Sequence, residues 1–389
     1  MTSMPQPAGL PSACDRPPVK SSCSRASLQS SFRAPTTRAD TRYVGPSPFC
    51  ESCAKTSGEA VSRRDFPALN PGFTYFRRGL DSINKTIWPT VFGLDRLRVA
   101  VREVRNQSPQ AGNAEIIELV AGGATVPIQT DLTRFEDDFT TEEQQALIGQ
   151  LALFGLTSHL EGALESACAA TGLSHKSLMF APDEDAWNDS SRWAELNSTW
   201  AALRQGGSAL IEANYLARYS RSPHFSVMRI PALEAGFRYW KEARNALIHA
   251  GGSASSRFIE AQTAYNMVKR ADLGVRSKAM LSVDGHVLGS PRPAGMLKLG
   301  DPIVISPYAA FNAADIMLKL AYTLDFLIAR TPRGEAALLQ RLDGEVNPKR
   351  WHDPQYRSTR TVGRLIKAVN APTPADPQSI LDAISSRRA

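Results

Sequence analysis

Residues 231–250 read PALEAGFRYWKEARNALIHA, and this stretch has the pattern of a long amphipathic helix. Pro231 stands at its start, where a proline costs nothing because the first N–H groups of a helix have no partner within it. Gly251 and Gly252 follow its end, and glycine readily adopts the left-handed conformation that stops a helix. The stretch therefore predicts a helix of about five turns and favours a mainly α-helical fold.

One face of this predicted helix combines apolar side chains with a charge. At about 100° per residue, a single apolar stripe contains Leu233, Phe237, Trp240, Leu247 and Ile248. Arg244 falls inside the stripe, whereas Asn245 and His249 fall on its polar flank, about 40° apart. Burying an arginine among apolar side chains is costly unless it is paired or lines a cleft. We therefore expect Arg244 to point into a polar pocket or a subunit interface, and the helix's aromatic side chains to belong to the core.

Helical patterns continue on both sides of this stretch. Thr140 and Glu143 have the spacing of an N-terminal capping box, which predicts a helix over about 141–170. A second helix is expected over 192–218, either continuous or interrupted at Gly206-Gly207, and a long apolar helix over about 309–328. The fold class that follows is a mainly α-helical bundle.

Two features interrupt the helical pattern. Pro89 is expected to divide residues 73–105 into two helical pieces, because an internal proline removes a hydrogen bond and clashes with the preceding turn. Short strands are expected within 115–129, on either side of Gly122 and Gly123. Asp284-Gly285 stands where a two-residue hairpin turn belongs, which predicts a small β-hairpin inserted before the last long helix.

These patterns divide the chain into four regions. Residues 1–64 are rich in Ser, Pro and Arg and poor in large apolar residues, so we expect a disordered tail. Residues 65–139 form an N-terminal accessory region, 140–330 the helical domain, and 331–389 a C-terminal extension.

Charge and cysteine content exclude several classes of protein. The net charge is +7, of which residues 1–64 carry +5, so the basic pI does not by itself identify a nucleic-acid-binding domain. No apolar run reaches the roughly 18 residues of a membrane span, and no export signal is present, so we expect a cytoplasmic protein with no membrane contact. Four cysteines lie in the tail without the two close pairs of a zinc site, so no metal or other cofactor is expected. Cys168 is expected in the core.

The run Arg244-Asn245-Ala246-Leu247-Ile248-His249, followed by Ala250-Gly251-Gly252, resembles the signature of the HEPN superfamily. That signature is an arginine, usually a polar neighbour, a few residues and then a histidine, on the helix before a variable insertion. The resemblance covers roughly residues 140–330. It implies a HEPN-like helical bundle in which the helices over 141–170 and 309–328 flank the motif. It also implies a metal-independent endoribonuclease, acting as a toxin or as an antiviral-defence effector in abortive infection. The implied partners are RNA, a second copy that completes a composite active site, and an antitoxin or a sensor.

The chemistry of these residues fits RNA cleavage. RNA supplies its own nucleophile, the 2′-OH, so cleavage needs proton transfer and charge stabilisation. His249 is the candidate for proton transfer, because histidine exchanges protons near neutral pH. Arg244 can hold the scissile phosphate through two parallel hydrogen bonds. Asn245 shares a face with His249 and could orient the imidazole or contact phosphate.

Two further residues are weaker candidates for substrate binding. Arg238 could follow RNA phosphates, although a solvated face is the usual explanation for such cations. Glu161 could be an acidic member of the site. The structural alternative is an ion pair between Arg244 and either Glu161 or Glu165, on the preceding long helix.

The rival interpretation belongs to another class of protein. In it the chain is a non-catalytic helical module that binds RNA or protein, or forms dimers, and Arg244 and His249 stabilise that contact. A second Arg–His spacing, Arg218 with His224, is treated as accidental. Ser222 and Pro223 lie between the two residues and prevent them from lying on one continuous helix.

Overall fold

The structure is a computed structural model that describes residues 67–121, 131–135, 140–174, 207–273 and 296–388, together with positions 178 and 203. The described residues are mainly helical, as predicted, and their only β feature is an isolated bridge between Ser253 and Pro302. The predicted tail and the predicted hairpin turn at Asp284-Gly285 lie outside the described residues.

Ten α-helices are present in these ranges. Numbered in chain order, they are α1 (Pro71–Gln107), α2 (Asn113–Ala121), α3 (Thr141–Thr171), α4 (Ala209–Ser220), α5 (Ile230–His249), α6 (Ser256–Asn266), α7 (Pro307–Ala329), α8 (Pro332–Gly344), α9 (Thr359–Ala368) and α10 (Pro377–Arg388). Short 3₁₀ turns precede α5 at Val227–Arg229 and follow α6 at Arg270–Leu273. Among these helices, none combines the length and the hydropathy needed to cross a bilayer.

The prediction that Pro89 divides residues 73–105 is wrong, because α1 continues through it for 37 residues. Pro89 lies on the exposed face, where the loss of one backbone hydrogen bond is least costly. The other face of α1 packs antiparallel on α3 along most of its length. A Cβ on Gly72 would meet the backbone of Ala163, and at the far end Arg98 donates to Gln144 Oε1 at 3.2 Å. Packing on α3 therefore holds both halves of α1 in one helix.

The strand expected at the start of 115–129 is also wrong. Asn113–Ala121 form α2, while residues 122–130 lie outside the described ranges. Ile116 is buried with Val101 of α1 and with Leu132, in a small apolar cluster beside the main core. The β-branched residues of this segment favour a strand locally, but burial of Ile116 against α1 stabilises the helix instead.

The prediction of a capped helix near 141–170 is confirmed by α3. Thr140 Oγ1 accepts from the N–H of Glu143 at 3.1 Å, and the Glu143 carboxylate accepts from the N–H of Thr140 at 2.8 Å. Cys168 is buried on the core face of α3, as predicted, and burial raises the pKa of its thiol to about 12.

The long apolar helix predicted over 309–328 is confirmed by α7, which is the centre of the core. Almost all of its side chains are buried, and it packs against α1, α3, α4, α5 and α8. The main apolar cluster extends from Ala68 to Ile384, so the ends of the described chain share one core with the middle. Of the helix expected over 192–218, the structure describes the part that forms α4, which begins after Ser208 caps the N–H of Ile211 at 3.0 Å.

Candidate active site

The predicted motif lies on the second half of α5, which packs against α3, α6 and α7. The helix begins beside Pro231 and ends at His249, as predicted. Its aromatic side chains, Phe237, Tyr239 and Trp240, are all buried, and Tyr239 stacks on Tyr265 of α6 at 5.0 Å between ring centroids. The prediction that these rings belong to the core is therefore confirmed.

Arg244 lies half-buried at the edge of the apolar face of α5. Its Nη1 donates to Asn245 Oδ1 at 3.1 Å, while its Nε is buried without a hydrogen-bond partner. Within the described residues, Arg244 makes no ion pair with a carboxylate, and the alternative partners Glu161 and Glu165 do not bond to it. The guanidinium thus keeps hydrogen-bonding capacity that the described part of the protein does not use.

His249 is the last residue of α5 and is exposed. The neighbouring Ile248, predicted to complete the apolar stripe, is instead 44% exposed, because the last turn of α5 extends beyond the edge of the core. Asn245 is half-buried, and its side-chain oxygen bonds to Arg244. The structure therefore places Asn245 beside Arg244 and leaves the imidazole of His249 open to solvent.

The predicted glycine stop fixes the position of His249. Gly251 and Gly252 have φ angles of +61° and +81°, and the N–H of Gly252 donates to Ala246 O at 3.1 Å. The carbonyl of Gly252 in turn accepts from the N–H of Ile303 at 2.8 Å. These bonds attach the end of α5 to the segment that leads into α7. His249 therefore lies at a helix end that the backbone holds in place.

The two weaker candidates lie in different surroundings. Arg238 Nη2 lies 3.7 Å from Glu260 Oε2. Burial lowers the pKa of Arg238, whereas Glu242, Glu260 and Glu234 raise it. The negative charge of these carboxylates makes Arg238 less suited to binding phosphate. Glu161 is half-buried on α3, and no described contact joins it to Arg244 or His249.

The second Arg–His spacing does not form a comparable site. α4 ends at Ser220, so Arg218 and His224 do not share a helix, as predicted. Burial lowers the pKa of His224; Asp315 opposes this effect, and the nearby cations Lys319 and Arg77 add to it. The ring of His224 lies 6.4 Å from that of Tyr322.

No group of three or more His, Cys, Asp or Glu side chains is placed to hold a metal ion in the described ranges. Comparisons with family models, with curated proteins and with solved structures each found no match to this chain.

Proposed function

We propose that the protein is a metal-independent endoribonuclease with a HEPN-like helical bundle, in which Arg244 and His249 of α5 cleave RNA. The observation that carries the proposal is the state of Arg244. Its guanidinium is half-buried, has one hydrogen bond to Asn245, an unpartnered Nε and no described carboxylate partner. Such a group is costly for stability and is suited to binding an anion.

The cleavage step requires only groups that α5 carries. The 2′-oxygen of RNA forms a bond to the adjacent phosphorus while the bond to the 5′-oxygen breaks. His249 takes the proton of the 2′-OH or returns one to the leaving 5′-oxygen. Arg244 stabilises the charge on the phosphoryl oxygens, with Asn245 holding one end of the guanidinium.

Helix geometry favours a site built from two copies. Arg244 and His249 are five residues apart, which separates them by about 140° around α5. One side chain lies at the core edge and the other in solvent. A homodimer that brings Arg244 of one protomer near His249 of its partner would complete the site, as the resemblance implies. The proposed role as a cytoplasmic toxin or antiviral-defence effector, with an antitoxin or sensor partner, rests on the same resemblance alone. No described contact bears on it.

The decisive variant is His249→Ala, compared with His352→Ala as a matched exposed histidine far from the motif along the chain. We expect His249→Ala to lower RNA cleavage at least about 100-fold, the usual contribution of a general acid or base. Its unfolding temperature should match that of the wild type because the side chain is exposed. His352→Ala should cleave normally.

The products and the conditions test the mechanism. Cleavage should continue in excess EDTA, should leave a 2′,3′-cyclic phosphate and a 5′-OH, and should stop on RNA with 2′-methoxy groups. Activity that vanishes with chelator and returns with Mg²⁺ would overturn the mechanism. RNA binding without any cleavage would favour the non-catalytic binding module.

A further inference from the structure

Helix α9, in the C-terminal region, has two sharply different faces. Its buried side is formed by Thr361, Val362, Leu365 and Ile366, which pack in the protein. Its exposed side carries Arg360, Arg364 and Lys367, spaced so that all three project from one side of the helix. Arg350, in the turn before α9, is also exposed, and its guanidinium contacts the ring of Tyr356, as does that of Arg364. We name Arg350, Arg360, Arg364 and Lys367 the α9 cationic face.

The charge around α9 is unbalanced. Residues 350–375 contain five basic residues and one acid, Asp353. None of the four residues of the α9 cationic face forms an ion pair within the described residues. The first turn of α9 holds Arg360 and no acid, although a helix N-terminus favours negative charge. Arg360 therefore opposes the helix dipole, whereas Lys367 lies in the last turn, where a cation is favoured. The exposed cations repel one another, and no described carboxylate neutralises them.

Two of the four cations, Arg350 and Arg364, are also held in place before any ligand binds. The guanidinium groups of Arg350 and Arg364 lie 5.3 and 5.4 Å from the centroid of the Tyr356 ring. Arg364 Nη2 donates to Thr361 Oγ1 at 2.8 Å, and that hydroxyl donates to Tyr356 O at 2.5 Å. Fixing a guanidinium by stacking and hydrogen bonding lowers the entropy that phosphate binding would otherwise cost.

We propose that the α9 cationic face binds the phosphate backbone of single-stranded RNA. A chain of phosphates complements a row of unpaired cations, and each contact releases counterions. An anionic membrane fits less well, because the apolar side of α9 is buried in the protein and cannot enter a bilayer. The choice of RNA among polyanions rests on the proposed function, but the binding itself does not require cleavage.

The test measures binding separately from cleavage. The probe is a fluorescein-labelled oligouridylate with 2′-methoxy groups, followed by fluorescence anisotropy over a salt series with the full chain. The test variant is Arg360→Gln/Arg364→Gln/Lys367→Gln. The control is Arg78→Gln/Lys85→Gln/Arg96→Gln, which removes three exposed cations from α1 and changes the net charge equally.

We expect the α9 variant to bind the probe at least about ten-fold more weakly at about 0.1 M salt, and the α1 control to bind nearly as the wild type does. Each single-strand phosphate contact contributes about 0.7 to the slope of log affinity against log salt, so the α9 variant should lose about 2 from that slope. All the substituted side chains are exposed, so thermal unfolding should confirm that both variants fold.

Equal weakening in both variants would mean that net charge alone attracts RNA, which would overturn the proposal. Unchanged RNA affinity would also overturn it. So would binding to phosphatidylserine vesicles that depends on α9 while RNA affinity does not. If the probe binds through α9 but the protein does not cleave RNA, this inference stands and the proposed function is rejected. If cleavage needs His249 but the α9 variant binds RNA with unchanged affinity, the proposed function stands and this inference is rejected.

Discussion

At the scale of single residues, the guanidinium of Arg244 is the least expected feature of α5. Its side chain is half-buried, and its only bonded partner in the described protein is the next residue, Asn245. Arg238, two turns earlier, shows the ordinary alternative, because Glu260 lies beside it. This contrast supports the proposal that Arg244 binds an anionic group of a ligand.

Replacing Arg244 by lysine keeps the charge and removes the planar pair of donors. If the guanidinium holds a phosphate through two bonds, Arg244→Lys should lower the cleavage rate by about 100-fold, in the range for losing one donor to a developing oxyanion. Single-turnover cleavage measures this directly. Arg221→Lys, at an exposed cation, is the control and should leave the rate unchanged. Nearly wild-type turnover by Arg244→Lys would mean that a point charge is sufficient.

Among the helices, α5 ends where it does because Gly251 adopts a left-handed backbone conformation. Gly251 has a φ of +61°, and a Cβ there would meet no atom within 4 Å. Conformation is therefore the one obstacle to a larger residue at this position. Gly162, inside α3, also has open space around it, but it has an ordinary helical backbone.

Alanine at these two glycines should have opposite effects. Gly251→Ala should lower the free energy of unfolding by about 1 kcal/mol, because an L residue is strained in the left-handed region. Gly162→Ala should raise it by about 0.5–1 kcal/mol, because alanine loses less entropy in a helix. Urea unfolding measures both. A stabilising Gly251→Ala would contradict the left-handed stop at the end of α5.

At the scale of the whole molecule, one buried carboxylate connects distant parts of the chain. Asp325 of α7 accepts from the N–H groups of Leu69 and Asn70 at 2.9 and 2.7 Å, and from the hydroxyl of Tyr219 on α4. Arg341 of α8 donates to the carbonyl of Leu69 at 2.7 Å, beside the same carboxylate. Burial raises the pKa of Asp325, and its hydrogen bonds act in the opposite direction.

Tyr219→Phe should lower the free energy of unfolding by about 2 kcal/mol, because the buried carboxyl of Asp325 loses a hydrogen-bond donor. It should also raise the pKa of Asp325 further, since the Tyr219 hydroxyl lowers that pKa. A carboxyl whose folded pKa is raised loses its contribution to stability as pH rises through that value. The stability gap between Tyr219→Phe and the wild type should therefore stay constant near the pKa of an unfolded aspartate, about 4. It should widen once pH exceeds the folded pKa of Asp325 in the wild type, which burial raises above that value.

Tyr215, one turn earlier on α4, is the matched control for this variant. It is fully buried and its hydroxyl has no hydrogen-bond partner in the described ranges. Tyr215→Phe should therefore be neutral or slightly stabilising at every pH. Thermal unfolding at several pH values gives both comparisons. Equal losses for the two variants would contradict the role assigned to the Asp325 carboxylate.

Local sequence determined the features that depend on neighbouring residues. The capping box at Thr140 and the glycine stop after His249 form within a few residues of backbone, so their signals are readable without the fold. The same holds for the core face of α5, whose apolar spacing repeats with the helix.

Tertiary structure decided the features that depend on distant residues. Packing on α3 keeps α1 helical across Pro89, and packing on α1 keeps the segment around Ile116 helical. The bonds between Asn70 and Asp325 join positions 255 residues apart, a separation that no local pattern encodes. The exposure of Ile248 and the unpartnered state of Arg244 depend likewise on where the core ends, because burial is a property of the packed chain.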